Sequence, residues 1–346
     1  MSNPTRHQLV ELTHVRLREF LREPEALFWS FLFPIIMTCA LGVAFSSSGS
    51  SRFVVGIANV PGRDDVTTAL QRDGRFTIRG VPPTAVDRVI RDGTAAVVVI
   101  AGTPPVYRYD EARAESQAAR MAVDVALQRA AGRVDAFAAS EIPVSSVGSR
   151  YIDWVIPGLL GMGIMSTGMW SVGFSIATAR SRKLLKRLVA TPMVRGYYLG
   201  SFVLSRFVFL GIETVVLMGF AWLVFDVTIQ GTLAAFAGVC AVGSLTFGAM
   251  ALLVASRART IEAVSGLLNF VMLPMWILSG VFFASSNFPD QVQPLIQRLP
   301  LTALIDALRA VANDGHSLAG VAPDLGILAT WGAVSFMAAL KLFRWR

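Results

Sequence analysis

ALFWSFLFPIIMTCALGVAF, residues 26–45, runs for twenty residues without a charged side chain. A helix of that length rises about 30 Å, the thickness of a bilayer's hydrocarbon core, and within hydrocarbon it satisfies its own backbone hydrogen bonds. The stretch therefore reads as a membrane span. A cleaved signal peptide is the rival reading, but its apolar core runs about 7–15 residues behind a short basic leader. Here the leader is long and mixed in charge. The rest of the chain agrees, because 54% of its 346 residues are hydrophobic, only 16% are charged and the mean hydropathy is +0.57. Such a composition excludes an ordinary soluble globule and predicts an α-helical integral membrane protein.

Upstream of this span, residues 1–25 contain PTRHQLVELTHVRLREFLRE, which puts Val10, Leu17, Phe20 and Leu21 near one side of a helix and Arg16, Glu19 and Arg22 or Glu23 toward the other. That pattern suits an interfacial helix lying along the membrane. Downstream, residues 46–150 change character. FVVGIAN, RFTIRG, AAVVVIAG and VYRYD read as short strands, and DDVTTALQRD, TAVDRVIRD and EARAESQAARMAVDVALQRAAG read as helices. An inserted α/β domain is expected there. From 151 to 346 five further spans follow, at 152–178, 199–225, 232–256, 263–284 and 322–340, giving six transmembrane helices in all.

Lys and Arg accumulate in short loops on the cytoplasmic side. RSRKLLKRLVATPMVRG at 180–196 carries six basic residues and no acidic one; SRART at 256–260 carries Arg257 and Arg259, and the last residues include Lys341, Arg344 and Arg346. The link at 226–231 has no basic residue. This alternation predicts both termini inside and the α/β domain outside, as an extracytoplasmic domain; long loops translocate largely regardless of their charge. The segment 288–313 is then external too. Its stripe of Leu301, Leu304, Ile305, Leu308 and Val311 beside Asp306 and Arg309 predicts an interfacial or re-entrant hairpin, divided by Pro294 and Pro300.

Catalytic signatures are missing. No G-x-x-x-x-G-K-[ST] phosphate loop and no G-x-S-x-G elbow occur, and GLLGMGIMSTG at 158–168 reads as small residues for close helix packing. His7, His14 and His316 have no metal-ligand spacing, and Cys39 and Cys240 lie in apolar runs. A formal charge of +8 is explained by topology, so nucleic acid is not an expected partner. The notable intramembrane polar groups are Arg206, Glu213 and Asn269. Arg206 and Glu213 are seven residues apart, near one face of the third span and about 10 Å from each other along its axis. Pairing with neighbouring helices and a place in a polar substrate path or proton relay are both open.

In 180–196, Arg180, Lys183 and Arg187 run along one side of a helix while Leu184, Leu185 and Leu188 form an apolar patch; Pro192 disfavours helix at Thr191. The segment offers charge and an apolar knob to a cytoplasmic partner, or else it sets topology and touches anionic lipid.

Four stretches in order resemble the membrane subunits of ABC type-2 exporters. They are YIDWVIPGLL at 151–160, RKLLKRLVATPM at 182–193, NFVMLPMWILSGVFF at 269–283 and LPLTALIDALR at 299–309. The resemblance covers essentially the whole chain. One departure is clear: where many members carry an Arg-Glu-x-Gly-Thr run, this chain has RSRKLL, with Arg182 and Leu184. The resemblance implies a permease without cofactor or enzymatic activity of its own, in a bacterial cytoplasmic membrane. It further implies pairing with a second copy or a paralogous permease and driving by two copies of a separately encoded ATPase that binds ATP and Mg. Arg180, Arg182, Lys183, Leu184, Lys186, Arg187, Thr191 and Pro192 would form the ATPase-coupling segment, and Pro300, Asp306 and Arg309 the outer hairpin. A periplasmic or outer-membrane component is a further expected partner. The rivals are a proton-coupled transporter using Glu213 and a membrane sensor or assembly protein whose external domain binds a ligand.

Overall fold

Pro34 shapes the first apolar segment. Proline has no N–H and its ring crowds the carbonyl four residues back, so the helix cannot close normally around Ser30. In the computed structural model, which describes residues 4–22, 24–46, 52–134, 137, 148, 150–181, 195–257 and 260–342, α1 (Pro4–Leu21) and α2 (Pro24–Leu27) lead into a π-helical turn, Phe28–Leu32. There Phe33 N–H donates to Phe28 O, one residue wider than an α-turn. α3 (Phe33–Ser46) continues from it. The apolar helical stretch Phe28–Ala44 is shorter than the uniform span expected from 26–45. In α1, Thr13 is buried while Val10 and Leu21 are exposed.

The chain divides into two compact units, residues 47–144 and the remainder. In the smaller unit the order is β1 (Phe53–Ala58), α4 (Arg63–Gln71), β2 (Phe76–Val81), α5 (Val86–Arg91), β3 (Val97–Ile100), β4 (Val106–Tyr109) and α6 (Ala114–Ala130). The strands lie in the order β2-β1-β3-β4, with β4 antiparallel and the others parallel. Central strands buried on both faces need continuous apolar runs, and these have them. Val55, Ile57, Val97 and Val99 pack against Leu70 of α4 and Val123 of α6, while Val98 faces Val86 and Ile90 of α5.

The larger unit continues with α7 (Tyr151–Ser181), α8 (Arg195–Phe225), α9 (Leu233–Ala255), α10 (Ile261–Leu278), α11 (Gln293–Ile296), α12 (Pro300–Ala312) and α13 (Ala322–Leu342). Five of these helices, α7, α8, α9, α10 and α13, are long and apolar enough to cross a membrane. Thr232 and Thr260 start α9 and α10 by accepting the N–H groups of Ala235 and Ala263, each at 3.2 Å. Pro157 inside α7 leaves the Asp153 carbonyl without its helical donor, and Asn313 Nδ2 fills the vacancy at 3.1 Å.

α12 is buried on nearly every side, with Asp306 exposed. Two glycines let it in: a methyl at position 161 would lie 2.7 Å from Ile305 Cγ1, and one at 243 would lie 2.7 Å from Leu304 Cδ1. Its last carbonyls, Val311 O and Ala312 O, accept the backbone N–H groups of Gly231 and Gln230 at 3.0 and 2.8 Å.

Candidate functional site

Two buried charges meet in the core of the larger unit. Arg206 and Glu213 are only 9% and 4% exposed, so Arg206 does not reach out toward the membrane surface. Their separation along α8 does not keep them apart, because the long side chains lean together until Arg206 Nη1 stands 3.8 Å from Glu213 Oε2. Each is also held from another helix. Arg206 Nε donates to Ser244 Oγ of α9 at 3.0 Å, and Nη2 donates to Ile164 O of α7 at 3.0 Å. Thr167 Oγ1 of α7 lies 3.2 Å from Glu213 Oε2 and 2.7 Å from Gly163 O, and its single proton serves one of them at a time.

Gly163 makes the approach of the carboxylate possible, since a methyl there would come within 2.5 Å of Glu213 Oε1. That oxygen has no hydrogen-bond partner among the described residues, and neither does the neighbouring Thr214 Oγ1. An isolated charge at such depth costs several kcal/mol, about what a nearby opposite charge and two hydrogen bonds return. The arrangement therefore ties three helices together through mutual dependence. No group of three His, Cys, Asp or Glu side chains suited to a metal occurs among the described residues.

A second tie lies at the end of α7. Arg180 Nη1 and Nη2 donate to Ala255 O and Ser256 O at 3.0 and 3.2 Å, capping the carbonyl end of α9 with a cation. Arg182, Lys183, Leu184, Lys186, Arg187, Thr191 and Pro192 lie outside the described residues.

At the opposite end of α7, Arg309 of α12 stacks 3.7 Å from the centre of the Trp154 ring. Its Nε donates to Trp154 O at 3.1 Å and its Nη2 to Gly280 O at 2.6 Å. Asp306 stands 3.8 Å from Arg309 Nη1 with a half-exposed side chain, and Pro300 opens α12 at its first turn. Nearby, Arg150 forks onto Asp153 at 2.9 and 2.7 Å and donates to Phe225 O at 2.9 Å. Asn269 is not part of any of these clusters; it sits on the exposed side of α10.

Sequence reading singled out Arg206 and Glu213 and took the stretch holding Gly163 and Thr167 as small residues for close helix packing, but it did not join Thr167, Ser244 or Gly163 to the charged pair. The only signal for them is their small or polar type inside apolar runs, which many helix-packing residues share. Arg150 and Asp153, three apart at the start of a span, are an i, i+3 pair that the spacing alone makes readable.

Known proteins are similar to this chain in sequence. Nodulation protein J of Bradyrhizobium diazoefficiens is 26% identical over 204 residues, 58% of this chain and 76% of that protein. The inner membrane transport permease YadH of Escherichia coli is 24% identical over 211 residues, 57% of this chain and 75% of its own. The linearmycin resistance permease protein LnrN of Bacillus subtilis is 26% identical over 182 residues, 52% of this chain and 46% of its own. The pattern of the family described as ABC-2 type transporter matches residues 116–312, more than half of the chain and the stretch holding α7 to α12 with the Arg206 and Arg180 ties. The chain belongs to the ABC-2 type transporter family, as one of its permeases.

Proposed function

We propose that this permease exports an amphipathic, lipid-linked or drug-like substrate across a bacterial inner membrane, driven by two copies of a separate ATPase subunit that docks on residues 180–193. The observation that carries the reading is the Arg180 tie. The basic segment leaves α7 directly after a turn whose guanidinium holds the carbonyl end of α9. A partner pressing on 180–193 therefore pushes on two membrane helices at once. The chain carries no phosphate loop of its own, so work must arrive as a contact that differs between two states of a partner.

In this reading six spans cross the membrane, with both termini and the 180–193 segment inside and residues 46–150 outside. Support for α3 as the first of them comes from Gly42, where a methyl would lie 2.6 Å from the Phe225 ring and 3.2 Å from Ile152 Cδ1. That puts the end of α3 level with the end of α8 and the start of α7. Two permease copies, identical or paralogous, would enclose the path. The LnrN name supports a drug-like substrate among the three classes.

Charge reversal at Lys186 and Arg187 tests the docking. The K186E/R187E permease is expected to insert normally and to lose stimulation of its ATPase. Unchanged stimulation would defeat the proposal.

A further inference from the structure

We propose that Arg206 and Glu213 are positioning residues that lock α7, α8 and α9 into one block, which carries displacement of the 182–194 segment into the membrane. This rests on the exporter reading and adds the route by which force would travel. The segment joins α7 to α8 in the chain, so a push on it reaches both helices. Two helices joined by a long link can still slide past each other. Arg206 removes that freedom: from α8 it bonds the backbone of α7 at Ile164 O and the side chain of Ser244 on α9.

Glu213 makes the lock mutual. Its carboxylate faces α7 at Thr167 and Gly163, 3.8 Å from the guanidinium it neutralises. Sliding α8 by one residue, about 1.5 Å, would pull Arg206 off two acceptors and leave two opposite charges without their partners in hydrocarbon. Arg180 joins α7 to α9 a second time near the segment itself. By contrast α10 packs on α7 through apolar side chains, Leu268 and Val264 at Gly173. Apolar surfaces keep their energy through small shifts, whereas directional hydrogen bonds do not. The block is therefore expected to move as a unit against α10.

Pulsed EPR on the permease bound to its ATPase in nanodiscs tests this without knowledge of the cargo. With Cys39 replaced by serine, spin labels go on the exposed positions Ser171 of α7, Val215 of α8, Leu245 of α9 and Phe270 of α10. In the wild-type background, trapping with ATP and vanadate should change the 171–215 and 215–245 distances by less than about 2 Å while 215–270 changes by more. In R206M/E213L, which leaves no unpaired charge, resting distances and ATP hydrolysis should persist, but trapping should now shift the two distances within the block. S244A/T167V, which keeps both charges, should show the same effect at smaller size and decides the matter if the first variant does not insert. A wild-type block that deforms as much as 215–270, or variants whose trapped distances equal wild type, would overturn the lock. Failure of any ATPase to bind the wild-type permease would instead sink the exporter reading on which it rests.

Discussion

Replacing Arg309 with methionine keeps an unbranched apolar stem and removes the guanidinium, so it isolates what that group holds at the Tyr151 end of α7. The structure offers two candidate contributions. One is the pair of hydrogen bonds to Trp154 O and Gly280 O, at 3.1 and 2.6 Å, with the Trp154 ring at 3.7 Å. The other is the ion pair with Asp306 at 3.8 Å, whose carboxylate is half exposed. Charge-assisted bonds to carbonyls contribute about 1.5–3 kcal/mol each, and a desolvated cation over tryptophan about 2. Desolvating the guanidinium takes back several kcal/mol, leaving a net loss of about 2–4 kcal/mol for R309M. For a unit of this size that corresponds to roughly 5–12 °C in melting temperature. The screened pair with Asp306 is worth about 0–1 kcal/mol, so D306N should melt within about 3 °C of wild type. Differential scanning fluorimetry on the purified permease measures both. Equal shifts for R309M and D306N would show that the ion pair, and not the carbonyl contacts, fixes α12, and the reasoning would fail.

In the same assay R206M alone should cost about 3–5 kcal/mol, because Glu213 is left buried and uncompensated, whereas R206M/E213L should recover most of that loss. Additive losses in the double variant would refute the mutual dependence of the pair. In the smaller unit, burial and the hydrogen bond donated to Asp124 at 3.0 Å push the Tyr107 phenol up to about 12 from its ordinary value of 10. The raised value means that its contribution to stability is complete below about pH 10 and is lost as pH rises toward 12. Ultraviolet titration should find a phenol ionising near pH 12 that Y107F removes; an unchanged titration curve in that variant would contradict the assignment. P157A should weaken the effect of N313A, because the restored N–H can serve the Asp153 carbonyl that Asn313 now serves. Strictly additive melting shifts for the two substitutions would exclude that exchange.

Much of the secondary structure was legible because the relevant physics is local. VVVI at 97–100 is an unbroken β-branched run, and it forms the central strand β3, buried on both faces. Pro294 and Pro300 divide the 288–313 segment into α11 and α12 as proline must. The depth of α12 was not legible. Asp306 and Arg309 made it look half solvated, but Arg309 turns inward onto carbonyls that lie 155 and 29 residues away in sequence. The 3.8 Å approach of Arg206 to Glu213 was equally hidden, since helical spacing fixes backbone positions and not the lean of long side chains. Their other partners, Thr167 and Ser244, come from separate helices, and no pattern within one segment can announce them.

In the proposed exporter the basic segment at 180–193 lies inside the cell and receives the push of an ATPase. Labelling of Lys186→Cys with a membrane-impermeant maleimide, in a permease whose Cys39 is replaced, tests it most directly. The expected result is no labelling in intact spheroplasts, rapid labelling in inverted membrane vesicles stripped of the ATPase, and protection when the ATPase is added back. Labelling from the outer side, or a rate in inverted vesicles that the ATPase leaves unchanged, would contradict it.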